Sequence, residues 1–240
     1  VDEAGFALEN TMFAFQQAVD LGFRYIETDA HVSSDGVLVA AHDPSLERTT
    51  DGTGVIEDHR YADLTKLKVG GREAIPRFED VLATWPDIHV NVDAKTPEAV
   101  GILARMVHRH RAWDRVCVAS FSAPSVYRLR RELGPRVATA LSWAEVAALM
   151  WTPTRPLRSR LLRSGQAAQV PPRHRYGIDV LTPAFVDRAH ELGTVVNVWT
   201  INDAAEMHRV LDLGADGVFT DRLDIARDVF REREIWPGGS

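Results

Sequence analysis

Apolar segments that read as β-strands alternate along the chain with segments that carry apolar residues at helical spacing. Apart from the return strand of one hairpin, seven such strands are predicted, centred on Glu27, Asp93, Ala119, Ala138, Ala168, Val198 and Val218. Strands that alternate with helices form parallel sheets covered by helices. The alternation therefore predicts an α/β fold.

The number of repeats favours a TIM (β/α)8 barrel. The chain has 240 residues, close to the about 250 that are typical of this barrel, and seven strands are one short of its eight. We expect the missing first strand directly before Val1, because the chain begins in what reads as a loop. A doubly wound open sheet is the alternative, but its glycine-rich phosphate turn after the first strand is not visible in the sequence.

One domain is predicted over residues 1–235, with residues 37–75 as a small hairpin and loop insertion after the second barrel strand. The pair Asp35-Gly36 is a strong hairpin signal. The long polar connection that follows is typical of a functional loop or lid. Residues 236–240 read as a flexible tail.

Composition excludes several classes of function and partner. The net charge of −6 offers no basic stripe for nucleic acid. The single cysteine, Cys117, excludes an internal disulfide and a cysteine-rich metal site. No apolar run approaches the about 20 residues of a transmembrane helix, and no signal-peptide pattern is present. We expect a cytoplasmic location, with an upstream signal left open because the N-terminus reads as incomplete.

Acidic and basic side chains gather at the predicted strand ends. Glu27 and Asp29 lie two residues apart in one strand and so share a face, which cannot be plain core because unpaired carboxylates are costly to bury. The hairpin returns His42 to their vicinity. Asp93 and Lys95 end another strand, and the C-terminal strand ends of a TIM barrel carry its active site.

Three carboxylates suit a hard divalent ion, Mg²⁺ or Ca²⁺. Such an ion can polarise a phosphoryl oxygen, with His42 as proton donor or acceptor and Lys95 as a second positive charge. Each feature also has a plainer reading. The acidic pair could be an exposed polar face, the His42-Asp43 dipeptide a turn, and Lys95 an ion-pair partner of Asp93.

Motifs spread over nearly the whole chain resemble those of the glycerophosphodiester phosphodiesterase family and occur in the family's order. They are E-N-T before a helix, I-E-T-D, D-G-V-L-V-A-A-H-D, R-T-T-D-G-T-G, V-D-A-K, S-F, V-W-T-I-N and G-A-D-G-V-F-T-D. The resemblance implies a TIM barrel that hydrolyses glycerophosphodiesters to an alcohol and glycerol 3-phosphate. It also implies one bound divalent cation, Mg²⁺ or Ca²⁺, and a small-molecule substrate as the partner.

The resemblance also implies roles for individual residues. Glu27, Asp29 and Asp93 match the metal-binding positions, although the family usually has glutamate where Asp93 stands. His42 and Lys95 match catalytic positions. The expected substrate-binding residues are Glu9, Asn10, Phe121 and Trp199, the last two at aromatic positions around the glycerol. His31 stands where the family tolerates polar residues.

Two departures from the family pattern leave alternatives open. Asp93 is one methylene shorter than glutamate, which would shift the ion or insert a water. The family's first motif, a strand ending in His-Arg before E-N-T, is absent, so the sequence is either truncated, the reading we favour, or that of a catalytically impaired phosphodiester-binding homologue. A phospholipase D-like activity on lysophospholipid or sphingomyelin is the enzymatic rival, suggested by Asp93 and by the apolar and basic stretch Trp143–Arg163. The oligomeric state is left open.

Overall fold

The computed structural model describes residues 8–162 and 165–236. The predicted loop over residues 1–6, Arg163 and all of the predicted tail except Trp236 lie outside these ranges. The described residues fall into two compact units, one that ends at Val137 and one that spans Ala138–Trp236. The prediction of one domain over residues 1–235 stays a prediction.

The first unit is built on a four-stranded run of sheet. Its strands and helices are α1 (Met12–Asp20), β1 (Tyr25–Val32), β2 (Leu38–Ala40), α2 (Tyr61–Leu64), α3 (Phe78–Thr84), β3 (His89–Ala94), α4 (Pro97–Arg109), β4 (Val116–Ala119) and α5 (Ala123–Leu133). The strand order is β2-β1-β3-β4, in which β1, β3 and β4 are parallel and β2 is antiparallel to β1. The predicted strand–helix alternation and the hairpin are both present.

The second unit repeats the strand–helix pattern. Its elements are β5 (Ala138–Thr139), α6 (Trp143–Trp151), α7 (Arg155–Leu161), β6 (Ala167–Val170), α8 (Pro183–His190), β7 (Val195–Val198), α9 (Ala204–Asp212), β8 (Gly217–Val218) and α10 (Leu223–Glu232). The parallel strands β6, β7 and β8 are neighbours in that order. In the parts of the chain that the structure describes, no helix is long and apolar enough to cross a membrane.

Several helices start at side-chain caps that the sequence encodes. The hydroxyls of Thr11, Thr96 and Thr182 and the carboxylate of Asp203 each accept a hydrogen bond from a backbone N–H in the first turn. Such caps satisfy donors that the helix itself leaves unpaired. The sequence therefore encodes the points at which these four helices begin.

The insertion over residues 37–75 has an apolar cluster of its own. A 3₁₀ turn at Ile56–Asp58 and helix α2 interrupt the loop. The buried members of the cluster are Val39, Leu46, Ile56, Leu64, Val69 and Ile75. Each fully buried Leu or Ile contributes about 1.5–3 kcal/mol. The insertion is therefore a packed subdomain-like segment rather than a loose polar loop.

Helix α7 lies in the arginine-rich segment that follows Trp151. From sequence alone this segment reads as a solvated link, but residues Arg155–Leu161 are helical. Arg158 is buried and donates to the Thr152 carbonyl oxygen at 2.9 Å and to Glu191 at 2.6 Å. A buried guanidinium persists where carboxylate and carbonyl oxygens take its donors, and these partners are not visible in the sequence.

The hairpin between β1 and β2 turns at Gly36. Its φ is +82°, in the left-handed region, and its N–H donates to the Ser33 carbonyl oxygen at 2.9 Å. Ala30 pairs with Ala40 across the two strands, and His42 follows two residues later. The glycine turn thus fixes where the chain presents His42.

Replacement of Gly36 by alanine should destabilise the protein by about 1–2 kcal/mol, because a Cβ is unfavourable in left-handed backbone. Chemical denaturation at neutral pH measures the loss. Ser34→Ala, on an exposed residue of the same turn outside that region, is the matched control. Equal stability of the two variants would contradict the assignment.

Candidate active site

Two buried carboxylates lie side by side, Asp29 within β1 and Asp93 one residue before the end of β3, so Asp29 does not lie at the strand end that the sequence predicts. Asp29 pairs with Asp93 in the parallel register, and their exposed fractions are 5% and 6%. Adjacent parallel strands hold paired residues on one face, so both side chains point the same way. Glu27 is two residues earlier on that face of β1 and is exposed. The structure therefore brings Asp29 and Asp93 together, with Glu27 toward the start of the strand.

Lys95 forms an ion pair with each of these two carboxylates. Its Nζ lies 2.7 Å from Asp29 Oδ1 and 2.9 Å from Asp93 Oδ2. Burial lowers the pKa of Lys95, but the two carboxylates outweigh burial, and its pKa lies above the ordinary value. Burial raises the pKa of Asp93 despite the opposing charge of Lys95. The ammonium is therefore charged at neutral pH and compensates the acidic pair.

One carboxylate oxygen of the acidic pair accepts no hydrogen bond from the described residues. Asp93 Oδ1 is buried and has no hydrogen-bond partner among the described residues. A buried carboxylate oxygen without a donor is costly and is suited to a cation. Among those residues, however, no three His, Cys, Asp or Glu side chains are close enough to form a metal cluster. The donor chemistry fits a hard divalent ion, while the observed arrangement is that of the Lys95 ion pairs.

Asn10 connects the start of α1 to the acidic pair. Its Nδ2 donates to Asp29 Oδ2 at 3.5 Å, and its Oδ1 accepts a 2.6 Å hydrogen bond from Thr28. Its φ of +55° is in the left-handed region, which asparagine tolerates better than most residues. The predicted site residue Asn10 therefore contacts the metal-binding candidate Asp29.

His42 is exposed, yet its ring is held on one side. Its Nδ1 lies 2.6 Å from Asp43 Oδ1, and a carboxylate only accepts, so Nδ1 carries the proton. Asp43 also pairs with Arg48, which in turn pairs with Glu9. Glu9, predicted to bind substrate, is thus engaged by Arg48. This leaves Nε2 of His42 as the nitrogen available for proton transfer.

His31 is a site residue that the sequence did not single out. It is 6% exposed, and its Nε2 donates to the carbonyl oxygen of His42 at 3.2 Å. Burial lowers its pKa, so the ring is neutral at pH 7 and keeps one N–H. The alternation of β1 could have indicated it, because His31 shares a face with Glu27 and Asp29.

The two aromatic candidates lie in different units. Phe121 follows β4, is 60% exposed, and its ring centroid is 5.5 Å from Lys95 Nζ. This cation–π distance places it beside the acidic pair. Trp199 follows β7 in the second unit, where its backbone N–H donates to the Val170 carbonyl oxygen at 3.2 Å. Within each unit, the aromatic residue lies within two residues of the C-terminal end of a parallel strand.

Replacement of Lys95 by methionine should lower the free energy of unfolding by about 3–5 kcal/mol, because it leaves two buried carboxylates without their cation. Urea denaturation at pH 7 measures the change. Lys66→Met is the matched control, since Lys66 forms an exposed ion pair with Asp63 and such pairs contribute little. Similar stabilities of the two variants would show that the Lys95 pairs do not stabilise the fold.

The chain is similar in sequence to proteins of one enzyme family. The profile of the glycerophosphoryl diester phosphodiesterase family matches residues 3–225. The probable glycerophosphodiester phosphodiesterase 2 of Mycobacterium tuberculosis is 38% identical over 234 residues, which cover 95% of this chain and 88% of that protein. Lysophospholipase D GDPD1 of Mus musculus is 29% identical and covers 91% of this chain and 80% of its own length.

A solved structure shows the same fold. An Oleispira antarctica phosphodiesterase in complex with the product sn-glycerol-3-phosphate matches with a TM-score of 0.77 at 23% identity, over 95% of this chain and 93% of that one. The likeness confirms the predicted fold class, α/β of the TIM-barrel type. The predicted family is confirmed as well. By its profile match and its relatives, the chain belongs to the glycerophosphoryl diester phosphodiesterase family.

Proposed function

We propose that this protein hydrolyses glycerophosphodiesters to an alcohol and glycerol 3-phosphate, using His42 for proton transfer and the Asp29, Asp93 and Lys95 cluster for charge stabilisation. The observation that carries the proposal is the buried acidic pair on two adjacent parallel strands, one hairpin away from a histidine whose Nε2 is available. Family membership supplies the reaction class. The relative from Mycobacterium tuberculosis and the product-bound phosphodiesterase support the choice of substrate.

His42 suits proton transfer for a geometric reason. Asp43 accepts a hydrogen bond from Nδ1–H, which keeps the proton on Nδ1 and leaves the lone pair of the neutral ring on Nε2. Nε2 can then accept a proton, and the protonated ring can return it to a departing alkoxide. Hydrolysis cleaves one P–O bond and adds water across it, so one proton is removed from the nucleophile and one is delivered to the leaving oxygen.

Lys95 suits electrostatic stabilisation. An ammonium group has three N–H donors, and two of them meet Asp29 and Asp93. The third can meet a phosphoryl oxygen, whose negative charge grows in the transition state. Phe121, beside Lys95, offers an exposed ring against which the glycerol or alcohol part can pack.

The proposed cofactor is one divalent cation, Mg²⁺ or Ca²⁺, held by Glu27, Asp29 and Asp93. Support comes from the all-oxygen donor set and from the buried, unpartnered Oδ1 of Asp93. When bound, such an ion would polarise a phosphoryl oxygen of the substrate. Asp93 is shorter than glutamate, which favours a ligand set completed by water.

Lysophospholipid is a second candidate substrate. It is favoured by the mouse relative named lysophospholipase D and by a row of aromatic side chains in the second unit that ends at exposed Tyr176. Trp143, after β5, contacts His174 at a centroid distance of 5.5 Å, and His174 contacts Tyr176 at 5.0 Å. Tyr176 is 72% exposed and could pack against an acyl chain.

Replacement of His42 by alanine should lower kcat on glycerophosphocholine by about 10²- to 10⁴-fold, the usual contribution of a general acid or base. Stability should change little because the ring is exposed. His59→Ala, at an exposed histidine of the same unit, is the control and should keep full activity. A loss below tenfold for His42→Ala would assign this residue to structure.

Isothermal titration calorimetry with Mg²⁺ or Ca²⁺ should show one binding site that is weakened in Glu27→Gln and Asp93→Asn, because each variant replaces a charged oxygen ligand by a neutral amide. Asp80→Asn, which removes an exposed carboxylate paired with Arg77, should bind like the parent. Unchanged affinity in Glu27→Gln and Asp93→Asn would contradict the proposed ligands. This measurement needs no turnover.

A further inference from the structure

Four side chains form a continuous chain of ionic hydrogen bonds that ends at His42. Arg48 donates from Nη1 to Glu9 Oε2 at 2.9 Å and, through Nη2, to the other oxygen of Glu9. Its Nε donates to Asp43 Oδ2. The second oxygen of Asp43 accepts from Nδ1 of His42 at 2.6 Å. One guanidinium therefore links two carboxylates, and one of these holds the imidazole.

We propose that Arg48 and Glu9 are positioning residues that fix the ring orientation and the tautomer of His42 through Asp43. The proposal rests on the proposed function of His42 in proton transfer. It assigns Glu9 a role other than the substrate contact expected from the sequence. It also gives the insertion over residues 37–75 a purpose at the site, because Arg48 belongs to that segment.

The need for such positioning follows from exposure. The side chain of His42 is 57% exposed, so packing alone leaves its ring free to turn. A guanidinium is planar and holds its donors in a rigid fork, which fixes the plane of each carboxylate that it meets. Because Arg48 holds the other oxygen of Asp43, the direction in which Asp43 accepts the hydrogen bond from Nδ1–H of His42 is fixed. The ring then presents Nε2 in one direction.

The charges support the same arrangement. Arg48 holds the pKa of Asp43 near 2, so Asp43 is an acceptor at any pH at which the enzyme would work. Glu9 and Asp43 together raise the pKa of Arg48 above its ordinary value. Among the described residues, His42 meets Asp43 directly, Arg48 and Glu9 lie beyond Asp43, and His31 donates to the His42 backbone carbonyl.

The hydrogen bonds between Arg48 and Glu9 join residues that are far apart in the sequence. Glu9 precedes α1, whereas Arg48 follows β2 by eight residues, and the pair is 39 residues apart. The backbone of His42 is held separately by the hydrogen bond from His31 to its carbonyl oxygen. Backbone and ring are therefore fixed by different residues, and the ring can be released without disturbing the strand.

The test uses the full chain labelled with ¹⁵N-histidine, with the His42 signals assigned by comparison with His42→Ala. In the parent, neutral His42 should carry its proton on Nδ1. In Arg48→Met the proton should move toward Nε2, the tautomer preferred by a free imidazole. Arg48→Met should also lower kcat on glycerophosphocholine by about 10- to 100-fold, as loss of a residue that orients a functional group typically does, with KM nearly unchanged.

Two milder variants and one control sharpen the result. Arg48→Lys and Glu9→Gln should give intermediate tautomer shifts, because each keeps one hydrogen bond but loses the two-oxygen pairing. Arg77→Met removes an exposed arginine that pairs with Asp80 in the same unit and should leave both readouts unchanged. Where Arg48→Met does not fold, Arg48→Lys and Glu9→Gln decide the question.

Unchanged tautomer and kcat in Arg48→Met, or in both milder variants if it does not fold, would overturn the proposal. A raised KM with unchanged tautomer in Glu9→Gln would instead make Glu9 a substrate-binding residue and would overturn its positioning role. Should the parent protein not hydrolyse glycerophosphodiesters, the proposed function fails, but the ¹⁵N spectra still decide whether Arg48 sets the tautomer. The two failures are thus distinguishable.

Discussion

The ion pairs of Lys95 with Asp29 and Asp93 are the interaction on which the site depends. Parallel register places the two carboxylates next to each other in a buried position, where their mutual repulsion and lost hydration oppose folding. One ammonium between them offsets part of this cost. The fold therefore tolerates two carboxylates side by side. In the function proposed above, the same three side chains would also stabilise charge at the phosphodiester.

The unpartnered Oδ1 of Asp93 shows that Lys95 does not saturate the pair. A divalent cation and the ammonium would meet the same carboxylates through different oxygens, so each would reduce the negative charge that the other meets. The shorter side chain of Asp93 keeps its carboxylate close to β3, within reach of Lys95. A glutamate there would extend further from the strand. The choice of aspartate thus favours the ion pair with Lys95 as well as an oxygen ligand.

Periodicity alone predicted most of the fold and the position of the acidic pair. Asp35-Gly36 predicted the hairpin, and the alternation of residues predicted that Asp29 and Asp93 lie on strands. Both predictions succeed because they depend only on neighbouring residues. Contacts between residues far apart in sequence were missed. Arg158 reads as a solvated arginine until its partner Glu191 is known. Likewise, the residues around Glu9 and Arg48 do not indicate that these two side chains form an ion pair. The metal ligands and the catalytic role of His42 stay predictions.

His42 combines exposure with a defined orientation, and these two properties oppose each other unless other groups restrain the ring. An exposed ring can reach a phosphodiester in solution, yet each freely populated rotamer lowers the fraction of molecules that are ready to react. The charged hydrogen bond to Asp43, which is itself held by Arg48, restrains the ring although it is not buried. Because Asp43, Arg48 and Glu9 are themselves partly exposed, the restraint leaves the approach to Nε2 open. Arg48 belongs to the insertion over residues 37–75, whose apolar cluster includes the nearby Leu46. If Arg48 orients His42 as proposed, the packing of this insertion serves the orientation of a single imidazole.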